Sequence, residues 1–141
     1  MKTREFRLRT GQEGLYEITE MVCDAVRESG VKSGIVVVYC PHSDAGITIN
    51  ENVDTALRHD LMMGLDAAFP DRVEFQHREN NAVCHLKSSC VGTSCMVPVE
   101  DGQLLLGIWQ GIFFCEFDNP GRRPGTDKRR FLVKIVSDDC L

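Results

Sequence analysis

Apolar and polar positions along the chain alternate in short runs, and the spacing within each run predicts an element. Residues 4–10, "REFRLRT", follow the two-residue period of a half-buried strand. Between 13 and 28, Leu15, Ile18, Val22, Ala25 and Val26 recur at helical spacing before Ser29-Gly30, which predicts one amphipathic helix with a glycine stop. "GIVVVYC" (34–40) is dense in β-branched residues and predicts a buried strand, with "GITIN" (46–50) as a second short one. Val53, Leu57, Leu61 and Leu65 step by four through another helix, capped by Asn52 or Asp54 and closed near Phe69-Pro70. "RVEFQH" (72–77) reads as a strand, and 81–91 as a short helix or a turn. "TSCMVPV" and "QLLLGIWQGIFFCEF" flank Asp101-Gly102, the strongest local hairpin signal in the chain. Residues 118–128 form a loop on their Pro and Gly content, and "RFLVKIV" is the closing strand.

Several strands with early helices give an α+β class, and hairpin connections in the second half favour a mainly antiparallel sheet. No helix remains there to cross over between parallel strands, and the glycine fingerprints of nucleotide folds are missing. The 141 residues, 43% of them apolar, suit a single domain over 1–141 with its own core. No run is long enough to span a membrane, the N-terminus lacks a signal-like apolar core, and seven cysteines show no disulfide framework. A cytoplasmic protein with free thiols is expected. Its net charge is −5, yet Arg122, Arg123, Lys128, Arg129 and Arg130 cluster around one acid, Asp127. An acidic body with one basic segment argues against nucleic acid as partner and suits a small anionic ligand.

Candidate chemistry begins with "CPHSDAGITINEN" (40–52), too polar for an ordinary strand although it follows an apolar one. His42 stands where the chain leaves the buried strand, either as a turn residue or as a reactive group on a rigid scaffold. Glu51 faces it as a proton acceptor or ion holder, and Asn50 to Asn52 offer more polar groups than one helix cap uses. His77 and His85 lie further on, whereas His59 reads as a solvated helix position. Three histidines from separate segments could hold a metal, but no short ligand pair or C-x-x-C fixes one. The cysteines sit in apolar company and read as small hydrophobes. Trp109 and Gln110, between two glycines, are either core or a platform for a flat heterocycle. Arg122, Arg123 and Arg129 are either solvated charge or a phosphate clamp.

"PHSDAGITINEN", "NNAVCHLKSS", "VPVEDGQLLLGIWQGIFFCEFD" and the basic tail, taken in order, resemble the YjbQ family across nearly the whole chain. The resemblance implies packed antiparallel sheets, a β-sandwich-like core with two or three helices, a homotrimer, and histidine segments converging on a polar pocket. It also implies a thiamine-phosphate synthase activity, joining an aminopyrimidine methyl diphosphate to a thiazole phosphate with release of diphosphate. By position it carries over His42, Glu51, Asn52, Asn81, His85, Trp109, Gln110 and Glu116. On this reading His42, His85 and Glu51 are catalytic, and Asn52, Asn81, Trp109, Gln110, Arg122, Arg123 and Arg129 bind substrate. A divalent metal, Mg or Zn, would be held by His42 and His85. The sequence departs from the family pattern at "NNAVCH", where two carboxylates are replaced, and at Ser43-Asp44, where Asp44 could compensate. The alternative is a protein that binds a metal or phosphate ligand without turnover.

Overall fold

The computed structural model describes residues 2–119 and 128–140. In chain order the elements are β1 (Arg4–Arg9), β2 (Gly14–Glu17), α1 (Thr19–Ser29), β3 (Gly34–Tyr39), β4 (Ala45–Glu51), α2 (Thr55–Ala68), α3 (Ala82–Val91), β5 (Ser94–Glu100), β6 (Gln103–Leu104), β7 (Gln110–Glu116) and β8 (Lys128–Ser137). A five-stranded sheet, β1-β8-β3-β5-β6, faces a three-stranded one, β2-β7-β4. The pairings are antiparallel, so this is the α+β, sandwich-like arrangement expected.

Alternation along the strands builds the core. Val36 and Val38 of β3, Val97 and Val99 of β5, and Phe131 and Val133 of β8 point inward. They meet Ile47 of β4 and Ile112 and Phe114 of β7. Val22, Ala25 and Val26 of α1 close the same cluster, and Gly30 ends that helix in the left-handed region (φ 71°). β7 lies central in its sheet and is buried from Gly111 through Glu116. The opposite face of the larger sheet is less well covered, since Tyr39 and Met96 are exposed there and Val37 and Leu132 only half-buried. Val37 pairs with Met96, and Tyr39 with Leu132, which gathers these side chains on one face.

Three expectations are corrected. The first helix begins at Thr19, because Gly14–Glu17 pair instead with β7 and the Ile18 N–H bonds the Ile112 carbonyl at 2.8 Å. Tertiary pairing overrides local periodicity there. Residues 72–77 form turns and irregular chain rather than a strand, and Val73 stands in solvent. The Asp101-Gly102 hairpin forms with both residues at positive φ (50° and 74°), as a two-residue turn requires, but its second strand is only β6. The chain then leaves that sheet, and "QGIFFCE" becomes the centre of the other one. The second helix, α2, is capped by Asp54, whose side chain accepts the Ala56 N–H at 2.9 Å, but it buries no residue fully.

Gly46 fixes the docking of α3. A Cβ at this position would stand 2.6 Å from the Gly92 carbonyl oxygen, which accepts the Ile47 N–H at 3.0 Å just beyond the end of that helix. Only a hydrogen at position 46 lets α3 close on the edge of β4.

Candidate functional site

β3 ends at Tyr39, paired with Leu132, while β8 runs on toward Lys128. Beyond that pair a side chain continues the bonding of β8: His42 Nε2 accepts the Arg130 backbone N–H at 3.1 Å. An accepting Nε2 assigns the proton to Nδ1. Burial, with the Arg129 and Arg130 charges assisting, holds the His42 imidazole below its ordinary value, in keeping with a neutral ring. Its edge meets Phe114, ring centres 6.4 Å apart.

His85 arrives from α3. Its Nδ1 lies 2.9 Å from the Ser43 carbonyl oxygen, which can only accept, so Nδ1 donates there and Nε2 is the ring nitrogen left for other contacts. The His77 ring stands edge-on to it at 4.9 Å. Beside His77 a cleft of about 240 Å³ opens, lined also by Phe75, Asn80 and Ala82. His42 belongs to the loop between β3 and β4, and His85 reaches that same loop from α3 through the Ser43 carbonyl.

Beneath that loop lies a buried charge network. Arg129 donates from Nε and Nη2 to the two oxygens of Glu116, both at 2.7 Å, and its Nη1 is 3.0 Å from Asp44 Oδ1. Glu116 is wholly buried and also accepts the Thr10 hydroxyl at 2.6 Å and the Asp118 N–H at 3.3 Å. Asp118 accepts Asn81 Nδ2 at 2.9 Å and contacts Asp44 carboxyl to carboxyl. Burial pushes Asp44 up, but its bonds to Arg129 and Asp118 outweigh this and hold it below the usual carboxylate value. Arg129 itself is held firmly protonated: burial opposes its charge, and Glu116 and Asp44 more than compensate. Asn81 is buried with its amide nitrogen on Asp118, and among the described residues no group donates to its side-chain oxygen.

The remaining expected residues lie elsewhere. Ala45 and Glu51 are the two ends of β4, about 20 Å apart at some 3.3 Å per residue. Glu51 pairs with Gln110 at the far end, where the Asn52 N–H bonds the Trp109 carbonyl at 3.0 Å and Asn52 Nδ2 donates to Glu17 at 2.9 Å. Within one chain Glu51, Asn52, Trp109 and Gln110 do not join the histidines. Trp109 is 57% exposed, so it is no core residue. Arg129 is not an open phosphate clamp, since its donors are taken by carboxylates. Arg122 and Arg123 lie outside the described residues. Thr10 and Asp118 were not anticipated, because only the folded chain brings them to Glu116. Glu116 carried its own signal, an acid inside the apolar run "IFFCEF".

Cys90 and Cys140 are exposed, whereas the more enclosed thiols behave as small hydrophobes. Burial pushes Cys40 and Cys95 up to about 11, and Cys84 and Cys115 up to about 12. The expected Mg or Zn does not fit the residues present: Arg130 occupies the His42 Nε2 lone pair, and among the described residues no three His, Cys, Asp or Glu side chains are placed to hold a metal.

Two packed antiparallel sheets with imidazoles and a buried acid–guanidinium network at one end define a class of small α+β proteins with a polar terminal site. Residues 4–138 match the family model described as UPF0047 protein YjbQ-like, and the chain belongs to this family. It is 46% identical over 135 residues to a UPF0047 protein of Methanocaldococcus jannaschii, covering 95% of this chain and 94% of that one. It is 44% identical over 124 residues to YugU of Bacillus subtilis, covering 87% and 93%. The fold matches a crystal structure of a YjbQ/UPF0047 protein from Clostridium acetobutylicum with TM-score 0.86 at 43% identity, over 94% of this chain and 99% of that one. A YbjQ-like protein from Sulfolobus solfataricus gives TM-score 0.88 at 29% identity, over 97% of each chain.

Proposed function

We propose that the chain is an enzyme acting on small phosphorylated substrates, with a thiamine-phosphate synthase-like reaction as its specific activity. The observation that carries this reading is the anchoring of His85, from α3, to the loop that bears His42 and Asp44, with Asp44 held by the Arg129–Glu116 pair. In the reaction the thiazole nitrogen attacks the methylene carbon of the aminopyrimidine methyl diphosphate, and the carbon–oxygen bond to diphosphate breaks. Negative charge grows on the leaving oxygen, and fixed donors stabilise it. His85 Nε2, its ring aimed by the Ser43 carbonyl, exchanges a proton with a substrate oxygen or nitrogen, and the Nδ1–H of neutral His42 donates a hydrogen bond. No metal step is included. Incubating the purified protein with both half-substrates should yield thiamine phosphate above a heat-killed control, and absence of product sinks the synthase reading. Saturable phosphate-ligand binding without product would instead support the second reading, a binding protein.

The same reading includes a cytoplasmic homotrimer. No helix among the described residues is long and apolar enough to cross a membrane, and all seven cysteines are free. For assembly, the support is the incompletely covered face around Val37 and Met96 and the loop bearing Ile108, 86% exposed, and Trp109. A head-to-tail ring would bring the Trp109 end of one copy toward the histidine end of the next. Light scattering that returns a monomer mass removes that part of the proposal.

A further inference from the structure

β1 and β8 pair so that Arg9 faces Lys128 and Arg7 faces Arg130 directly across the ladder. Residues alternate across a strand, so Phe6, Leu8, Arg129 and Phe131 turn toward the interior while these four cations turn outward. Like charges directly opposite one another in a sheet destabilise it. Here two such pairs are stacked, and Glu5 lies on the same face, bonded to Arg130 at 2.7 Å and 3.5 Å from Arg7. Arg7 nevertheless keeps its side chain 81% exposed. The surface dips between the strands into a groove of about 610 Å³ with Leu8 in its wall, in a protein whose net charge is −5.

We propose that this outer face of β1 and β8 is a binding site for the diphosphate group of a small organic ligand, held by Arg7, Arg9, Lys128 and Arg130. The inference rests on the phosphorylated-substrate reading for its biological ligand, and it relocates the phosphate contacts from the carboxylate-bound Arg129 to these residues. Cross-strand neighbours stand about 5 Å apart, and positions two along a strand about 7 Å apart. The cations therefore mark a compact rectangle that a group with two linked phosphates can span, while a single phosphate reaches fewer corners. Guanidinium groups add bidentate bonds to phosphate oxygens. Arg130 also ties the face to the histidines, since its backbone N–H is the group that His42 accepts.

The test is calorimetric titration of the full chain with inorganic diphosphate at fixed ionic strength, with inorganic phosphate and sulfate as comparisons. Saturable binding is expected, tighter for diphosphate than for either comparison ion. Arg7→Ala and Lys128→Ala should each weaken it about tenfold. Arg27→Ala, which removes an exposed cation of α1 that does not line the groove, should leave it unchanged. Circular dichroism of each variant checks that the fold is kept, and Arg7→Lys, which retains charge, should recover part of the lost affinity. Absence of saturable binding, equal affinity for sulfate, or unchanged affinity in Arg7→Ala and Lys128→Ala overturns the site. Diphosphate binding of the expected pattern without thiamine phosphate formation upholds the groove and removes the synthase. Product formation that is indifferent to Arg7→Ala and Lys128→Ala does the reverse.

Discussion

The two ends of β4 carry similar residue types and differ in how those residues are paired. At the Ala45 end, half-buried Asp44 is held by Arg129, which is held by Glu116, which also takes the Thr10 hydroxyl, the last three being buried. At the Glu51 end, Asn52 and Glu17 bond each other near the surface, and the neighbouring apolar side chains, Ile108 and Trp109, project into solvent. Ionised groups can be buried only with nearly complete partnering, so the first end is a fixed scaffold for the imidazoles. The second end has unspent contact area, which suits a surface that meets another molecule.

The difference can be broken most severely at Arg129. Replacing it by Met leaves Glu116 and Asp44 buried without their cation, and urea denaturation should show a loss of about 3–5 kcal/mol. Arg130→Ala, which removes only an exposed pair with Glu5, should cost less than about 1 kcal/mol. Next comes His85→Gln, expected to slow product formation about a hundredfold or more with little change in melting temperature. A comparable fall in melting temperature would reassign His85 to structure. A smaller effect is expected from pH. His42 is held below its ordinary 6.5, so the unfolded chain takes up the proton first as pH falls. Its contribution is complete above about pH 6.5 and is lost as pH drops below that value. Melting curves between pH 7.5 and 5.5 should therefore decline more steeply for the wild type than for His42→Gln. The smallest change in subunit stability, within about 0.5 kcal/mol, is expected for Ile108→Asp. Light scattering should nevertheless show that variant shifted toward the monomer.

What the residue order discloses follows from how locally each feature is determined. β3, the Asp101-Gly102 turn and the closing strand were legible because burial period and turn chemistry are properties of a few adjacent residues. Residues 14–17 were misread as helix because their partner, β7, lies about a hundred positions later. The same distance hid Thr10 from Glu116. The approach of His85 to the loop that bears His42 could be weighed from the residues as one option for histidines of separate segments and was expected from the family resemblance, since no spacing rule links a loop to a helix 43 residues on. Assigning Glu51 and His42 to one pocket ignored strand length, for a seven-residue strand in between holds its ends apart.

The atom that orients His85 belongs to the peptide unit of residue 43, not to the serine hydroxyl. Every amino acid supplies that same oxygen, so genetic drift at position 43 leaves the imidazole's bearing untouched as long as the loop keeps its path. Alanine scanning would pass over this anchor without notice. Only a change in the course of the main chain, such as one forced by crowding at Gly46, could turn the ring away.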